Sequence, residues 1–209
     1  MIEYREIHST DDPDFKDLIK VYNEGFIEQK EIYIDPIVFT WMLNNDRNDI
    51  ISHIAVLKSE RVIGMTSFSS MPSGAIGWYI TIIKEERKKG YASLLLEKIK
   101  DTLIKDADSR NWHEKYLFAE FEQDKAELWN NKGFTILPVR YYQPPLLGNG
   151  DWVPLLLGAM PLKSDTITGA EILKFVSDLY LKIYHVSDVK KSDYFKNIKE
   201  DCEFLSMKL

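Results

Sequence analysis

The chain has 209 residues, a formal charge of −6 and a 44% hydrophobic composition. That length is long for one ordinary domain and short for two, and the apolar fraction is enough for a packed core, which excludes global disorder. One cysteine, Cys202, excludes an internal disulfide and fits a reducing, cytoplasmic setting, while the acidic balance disfavours nucleic acid, whose phosphates need Lys and Arg.

The opening MIEYREIHSTDDPDF has neither the basic nor the apolar region of a signal peptide. No apolar run nears the roughly 18 residues that span a bilayer, so no membrane partner is expected. Residues 2–8 alternate as a strand does. Asp11-Asp12-Pro13 predicts a helix start, because proline is tolerated in a first turn and acids suit the positive end of the helix dipole. Phe15, Leu18, Ile19, Tyr22 and Phe26 follow at helical spacing. A second helix is expected from Asp35-Pro36 through Phe39, Met42 and Leu43.

The period then changes. ISHIAVLKSE, RVIGMTSFSS and AIGWYITIIK read as three strands of an antiparallel meander. Ser59-Glu60 and Pro72-Ser73-Gly74 supply the turns. GYASLLLEKIKDTLIKDA reads as a helix, KYLFAEF as a short strand, and DKAELWNNK as a short helix that Gly133 ends in the left-handed conformation. FTILPVRYYQPPLL and WVPLLLGAMPL are extended, joined by Gly148-Asn149-Gly150-Asp151; their prolines suit edges or bulges. After Pro161 the composition shifts to helix. Thr168-x-x-Glu171 reads as a capping box, and Ser192 opens a further helix. Residues 1–162 therefore read as one α/β unit, and residues 163–209 as a helical extension too small to be a stable domain alone.

Chemistry is concentrated where an apolar strand runs through Arg87-Lys88-Lys89-Gly90-Tyr91-Ala92 into an amphipathic helix. Such a turn presents backbone N–H groups at the positive end of a helix dipole, which together make an anion site. Gly90 admits a conformation closed to other residues, and Ala92 gives clearance. The three basic side chains oppose the helix dipole, so helix propensity does not account for them. A pyrophosphate suits this turn; a solvated basic turn before an ordinary helix is the bland alternative.

Arg-x-x-Gly-x-Ala after an apolar strand resembles the acyl-CoA pyrophosphate motif of the GNAT superfamily of N-acyltransferases. Ala126-Glu-Leu-Trp-Asn-Asn-Lys-Gly-Phe134 resembles the second signature of that superfamily, a helix ending in Gly-Phe. The order of elements over residues 2–162 is similar too. The resemblance implies an α/β (α+β) fold with a mixed, mainly antiparallel central sheet flanked by helices. It implies acetyl-CoA as co-substrate; no metal is expected, because the histidines are scattered without ligand spacing. The backbone of Arg87, Lys88, Lys89, Gly90, Tyr91, Ala92 and Ser93 would cradle the pyrophosphate, and Ile82 and Ile83 would pair with the pantetheine arm. The acceptor would be an amine of a small molecule or a protein. A homodimer through the helical extension stays open.

N-acylation needs a neutral amine, a polarised thioester and a protonated leaving thiolate. Many relatives place a Tyr, as proton donor to the thiolate, four residues before the Gly of Gly-Phe. Here Trp129 holds that position, and an indole is no acid near neutrality; a packed tryptophan is the expectation. Tyr141 or Tyr142 could substitute, or water could serve, and Tyr142 is taken as the candidate. For the base, Glu120 and Glu122 share one face of YLFAEFE with Tyr116 and Phe118. Glu120 is the first choice because it sits deeper in the strand; a solvated strand-end pair is the alternative. Tyr22, Phe26, Tyr33, Phe39 and Trp41 read mostly as core, and Glu28, Glu31 and Asp35 as a solvated acidic loop that could attract an amine. The four histidines lack metal-ligand spacing. A non-catalytic acyl-CoA-binding protein on the same fold, and an interaction module working through the extension, are the competing functions.

Overall fold

A computed structural model describes residues 2–28, 33–44, 47–113, 115–145 and 150–209. It divides into two compact units, Met1–Trp112 and His113–Leu209. The sequence boundary expected at residue 162 lies inside the second unit, so the helices after Pro161 pack with the strands that precede them.

In the first unit, β1 (Glu3–Glu6), β2 (Ile51–Lys58), β3 (Val62–Met71) and β4 (Gly74–Ile82) pair in that order, all antiparallel. Every residue of β3 is buried, as expected of a central strand covered on both faces. The register slips at Ser67/Phe68, which face Tyr79 and Gly77, so Trp78 is an extra residue on β4 and its indole N–H donates to Ser69 Oγ at 2.9 Å. Such a bulge bends the strand and re-aims side chains near its end.

One face of this sheet carries α1 (Phe15–Phe26) and α2 (Ile37–Leu43). Tyr79 of β4 meets Tyr22, Phe26 and Phe39 edge-on at 4.9, 5.1 and 6.0 Å, arrangements that add to plain burial. The Tyr22 hydroxyl is buried but satisfied: it donates to the Ile34 carbonyl and accepts from the Ile34 amide. The aromatic core expected here is thus observed, except that Trp41 is half exposed. The first helix begins later than the acids and Pro13 suggested. Asp12 and Asp14 do not cap it; they bind Arg5, and Asp14 also binds Lys58, and pairing with a fixed cation outcompetes the weaker dipole.

The other face carries α3 (Tyr91–Arg110). His53 on β2 lies between Asp106 of α3 at 2.8 Å and Glu6 of β1 at 3.3 Å, with its ring stacked on Phe68. Ser70 Oγ also donates to Asp106. Burial opposes charging of the imidazole, but the hydrogen bonds and charges of Asp106 and Glu6 outweigh it and raise the His53 pKa to about 9. Among the described residues no group of three His, Cys, Asp or Glu side chains is arranged to hold a metal, and no helix is long and apolar enough to cross a membrane.

In the second unit, β5 (Tyr116–Phe121) pairs with β9 (Leu156–Pro161), which pairs with β6 (Thr135–Ile136), again antiparallel. α4 (Ala126–Asn130) stops short of Gly133, which takes the left-handed conformation expected of it at φ +94° and donates its amide to the Asn130 carbonyl. β7 (Tyr142–Gln143) and β8 (Val153–Pro154) form the expected hairpin, with Tyr142 opposite Pro154; Gly148 and Asn149 of its loop lie outside the described residues. β10 (Thr166–Thr168) leads into α5 (Gly169–Lys182), and α6 (Asp193–Cys202) leads into β11 (Ser206–Lys208), which pairs back on β10. The capping box is present as read: Thr168 Oγ1 accepts from the Glu171 amide, and the Glu171 carboxylate accepts from the Thr168 amide. The same carboxylate binds Lys115 and the Tyr116 hydroxyl. Burial would raise the Glu171 pKa, yet these partners pull it down to about 2. α5 lies on β5 through Phe175, which stacks on Phe118.

Candidate active site

The basic turn follows a strand whose backbone is largely engaged. The Ile83 amide donates to Ile63 and its carbonyl accepts from Glu86. Arg87 folds back so that Nε donates to the Ile82 carbonyl at 2.9 Å. Both isoleucines are buried. Any pairing of a further extended chain with Ile82 or Ile83 through these carbonyls would fall on their second lone pairs.

Two residues in the turn are left-handed, Lys88 at φ 64° and Gly90 at φ 85°. A lysine there is strained by about 1 kcal/mol, whereas Gly90 bears no such penalty. Gly90 is the N-cap of α3, and no side chain caps that helix end. The first-turn amides, from Tyr91 onward, therefore face outward at the positive end of a 20-residue helix. A Cβ built on Gly90 meets nothing within 4 Å, so the ground above the turn is open. Arg87, Lys88 and Lys89 are exposed; Lys89 pairs with Glu86 at 2.9 Å. Tyr91, Ala92 and Ser93 are partly exposed in the first helical turn. Backbone donors, a helix end and three exposed cations make this turn fit an anionic phosphate group.

In the second unit, Glu120 points from β5 into a cluster of neutral donors. The Tyr141 hydroxyl donates to Oε1 in a very short bond. The Tyr184 hydroxyl donates to Oε2 at 2.6 Å, and Gln143 Nε2 donates to Oε2 at 2.9 Å. Burial raises the Glu120 pKa, and these three hydrogen bonds only partly offset it. Burial and the neighbouring carboxylate push the Tyr141 pKa well above that of an ordinary phenol, so Tyr141 is a fixed donor rather than a proton source near neutrality.

Tyr142 is placed elsewhere. Its ring lies 4.6 Å from that of Tyr194, and its carbonyl accepts from the Tyr180 hydroxyl. Adjacent residues on an extended chain point to opposite sides, and the register that sends Tyr141 to Glu120 sends Tyr142 away. Glu122 caps the 3-10 turn after β5 from outside and makes no side-chain cap bond. Trp129 is packed as expected, stacked on Phe121 at 6.0 Å and edge-on to Phe134. Of the acidic loop, Glu28 and Asp35 are described, and Asp35 caps the Ile37 amide; Glu31 lies outside the described residues. Tyr184 was not legible as a site residue, because it reaches Glu120 across 64 residues of sequence with no local pattern to mark it.

A sequence profile of the acetyltransferase (GNAT) family matches residues 15–131, more than half of the chain. The chain belongs to the GNAT acetyltransferase family. A search of curated proteins returns no match. Among solved structures, the GNAT chain resembles one from Bacteroides thetaiotaomicron described as a GNAT-family acetyltransferase, with TM-score 0.68 and 16% identity over 88% of this chain and 99% of that one. It is also similar to the PaiA N-acetyltransferase of Thermoplasma acidophilum in complex with coenzyme A, with TM-score 0.53 and 15% identity over 77% and 99% of the two chains. A ribosomal-protein-alanine N-acetyltransferase from Escherichia coli gives TM-score 0.53 and 17% identity over 78% and 96%. At these identities the likeness is one of fold. The GNAT fold expected from the strand order and the Arg-x-x-Gly-x-Ala turn is therefore observed.

Proposed function

We propose that this GNAT protein transfers an acetyl group from acetyl-CoA to a primary amine of a small molecule or protein, by direct attack in a ternary complex. The observation that carries the cofactor half is the left-handed turn Arg87–Ser93 with an uncapped helix start above it. Its amides and Arg87, Lys88 and Lys89 would hold the pyrophosphate, and Ile82 and Ile83 would border the pantetheine arm. Glu120 would act as general base. A carboxylate accepts about four hydrogen bonds, and among the described residues three donors reach Glu120. One lone pair, on Oε1, is left for a proton.

The acceptor ammonium gives one proton to Glu120, its nitrogen bonds to the thioester carbonyl carbon, the C–S bond breaks, and the second proton that the nitrogen sheds passes through water to the leaving thiolate. The raised Glu120 pKa suits this task, since a base works best with a pKa near the working pH. Holding amine and thioester together supplies much of the remaining rate. A cytoplasmic setting belongs to the proposal and rests on the lone free thiol, Cys202, which is buried.

The test is a panel of amines with acetyl-CoA, scored by CoA release. Glu120→Gln is expected to lower kcat by about 10²–10⁴, and an unchanged rate would remove Glu120 as base. Acetyl-CoA at a hundredfold over Kd is expected to stabilise the fold by about 2.7 kcal/mol. Gly90→Glu should abolish that thermal shift by placing a strained, anionic residue at the turn. Absence of both shift and calorimetric binding in the unmodified protein would end the acyl-CoA reading. A second reading, a non-catalytic acyl-CoA-binding protein, is favoured by one observation: packed Trp129 stands where a thiolate-protonating tyrosine is usual. Binding without CoA release from any amine would select it.

A further inference from the structure

Glu120 is held by residues from three separate stretches of the second unit: Tyr141 before β7, Gln143 on β7, and Tyr184 just past α5. The last comes from the segment that the sequence alone presents as an extension. Its placement is not accidental to a surface loop. Tyr184 is buried, and α5 is anchored on β5 by the Phe118–Phe175 stack. Its amide is fixed by the Leu179 carbonyl at the end of the helix. The Gln143 Nε2 donates to both Glu120 Oε2 and the Tyr184 hydroxyl oxygen, at 2.9 Å each. Gln143, Tyr184 and Oε2 thus close a triangle of hydrogen bonds.

A carboxylate on a strand end has a free terminal torsion and could offer either oxygen. The triangle ties Oε2 down. That leaves Oε1, shared with Tyr141, as the oxygen with room for a proton.

We propose that Tyr184 is a positioning residue for the base, fixing Glu120 Oε2 together with Gln143 so that the proton of the amine is received at Oε1. This inference rests on Glu120 acting as the base. The segment after Pro161 then acts on the base through this one residue. The titratable groups facing Glu120 are Tyr141, Tyr184 and, more distantly, Tyr180 of α5. Tyr141 and Tyr180 are held well above the ordinary phenol range, and among the described residues no Lys, Arg or His hydrogen-bonds to the carboxylate. Removing one donor therefore weakens stabilisation of the ionised form with no cation to compensate.

The experiment uses the full chain, comparing pH–rate profiles of Tyr184→Phe and Gln143→Leu with those of the unmodified protein and Glu120→Gln. Tyr184→Phe keeps the ring and loses only the donor. The acid limb of kcat/KM is expected to move up by about one pH unit, a roughly tenfold lower rate on the acid side. The high-pH plateau of kcat should fall severalfold, because the loosened carboxylate presents Oε1 to the amine less of the time, while the KM for acetyl-CoA stays unchanged. Gln143→Leu should move the limb the same way, and serves if Tyr184→Phe does not fold. A carboxyl-carbon NMR titration, with the Glu120 signal assigned by its loss in Glu120→Gln, reads the same shift without an acceptor. Profiles of both variants that superimpose on the parent, with Glu120→Gln inactive, overturn the positioning role and leave Glu120 as base. An unchanged rate in Glu120→Gln overturns the base and the positioning role with it.

Discussion

Gly169→Ala is expected to destabilise the second unit by about 3–4 kcal/mol, at the upper end for overpacking because the obstacle is backbone. Gly169 opens α5 and donates its amide to the Leu205 carbonyl at 2.8 Å. A Cβ there would stand 1.9 Å from the Cys202 carbonyl oxygen and 2.8 Å from its carbon. No rotamer relieves that clash. The end of α6 must move away from the start of α5, which stretches the Gly169–Leu205 hydrogen bond and the β10–β11 pairing that follows it. The second unit should melt about 10 °C or more below the parent, given roughly 4–8 °C per kcal/mol for about 100 residues. Urea unfolding followed by circular dichroism checks it. A change under about 0.5 kcal/mol would mean that the two helices are not in fixed contact.

His53→Leu should cost the first unit about 3 kcal/mol near pH 6, since it strands Asp106 and Glu6 without their cation in a largely buried site. The loss should shrink as pH rises. The folded pKa of His53, about 9, lies above an unfolded value near 6.5. Its charge therefore stabilises the fold in full below pH 6.5, and that contribution fades as pH climbs through 9. The difference spans about 3 kcal/mol at roughly 1.4 kcal/mol per unit. Glu6 behaves oppositely. The His53 hydrogen bond lowers its pKa, so its share is present above its unfolded value near 4.3 and is lost as pH falls. The cluster is most stabilising between about pH 5 and 6.5. Subtracting the unfolding free energy of His53→Leu from that of the parent at pH 6, 7.5 and 9 isolates the effect. A constant difference across that range would rule out a charged His53.

The first unit was the more legible half. Its meander shows as period-2 runs with two short turns, and the motif turn shows as three cations where the helix dipole disfavours them. These are local signals, and local signals survive in a sequence. Where local signals competed with distant partners they failed. Asp12 reads as part of a helix start but serves Arg5. The four histidines look alike in sequence, yet His53 sits between two carboxylates on other elements. Glu120 was readable as a candidate by its alternation with core residues. Its partners were not, because Tyr141 and Tyr142 are indistinguishable until the register of the irregular β6–β7 stretch is known. Nothing near Tyr184 signals a carboxylate 64 residues earlier.

The pairing of β1 bears on the order in which the first unit assembles. β2, β3 and β4 are joined by turns of a few residues, and such hairpins close quickly. β1 stands at the end of the strand order and pairs with β2, Glu6 lying opposite Ala55, and α1 and α2 fall between them. Closing that longer loop costs about 2 kcal/mol more in chain entropy than closing a tight hairpin. The hairpin meander can therefore stand before β1 joins it. The meander places His53, on β2, whereas Glu6 reaches the imidazole only when β1 pairs, so a charged His53 favours the docking of that strand.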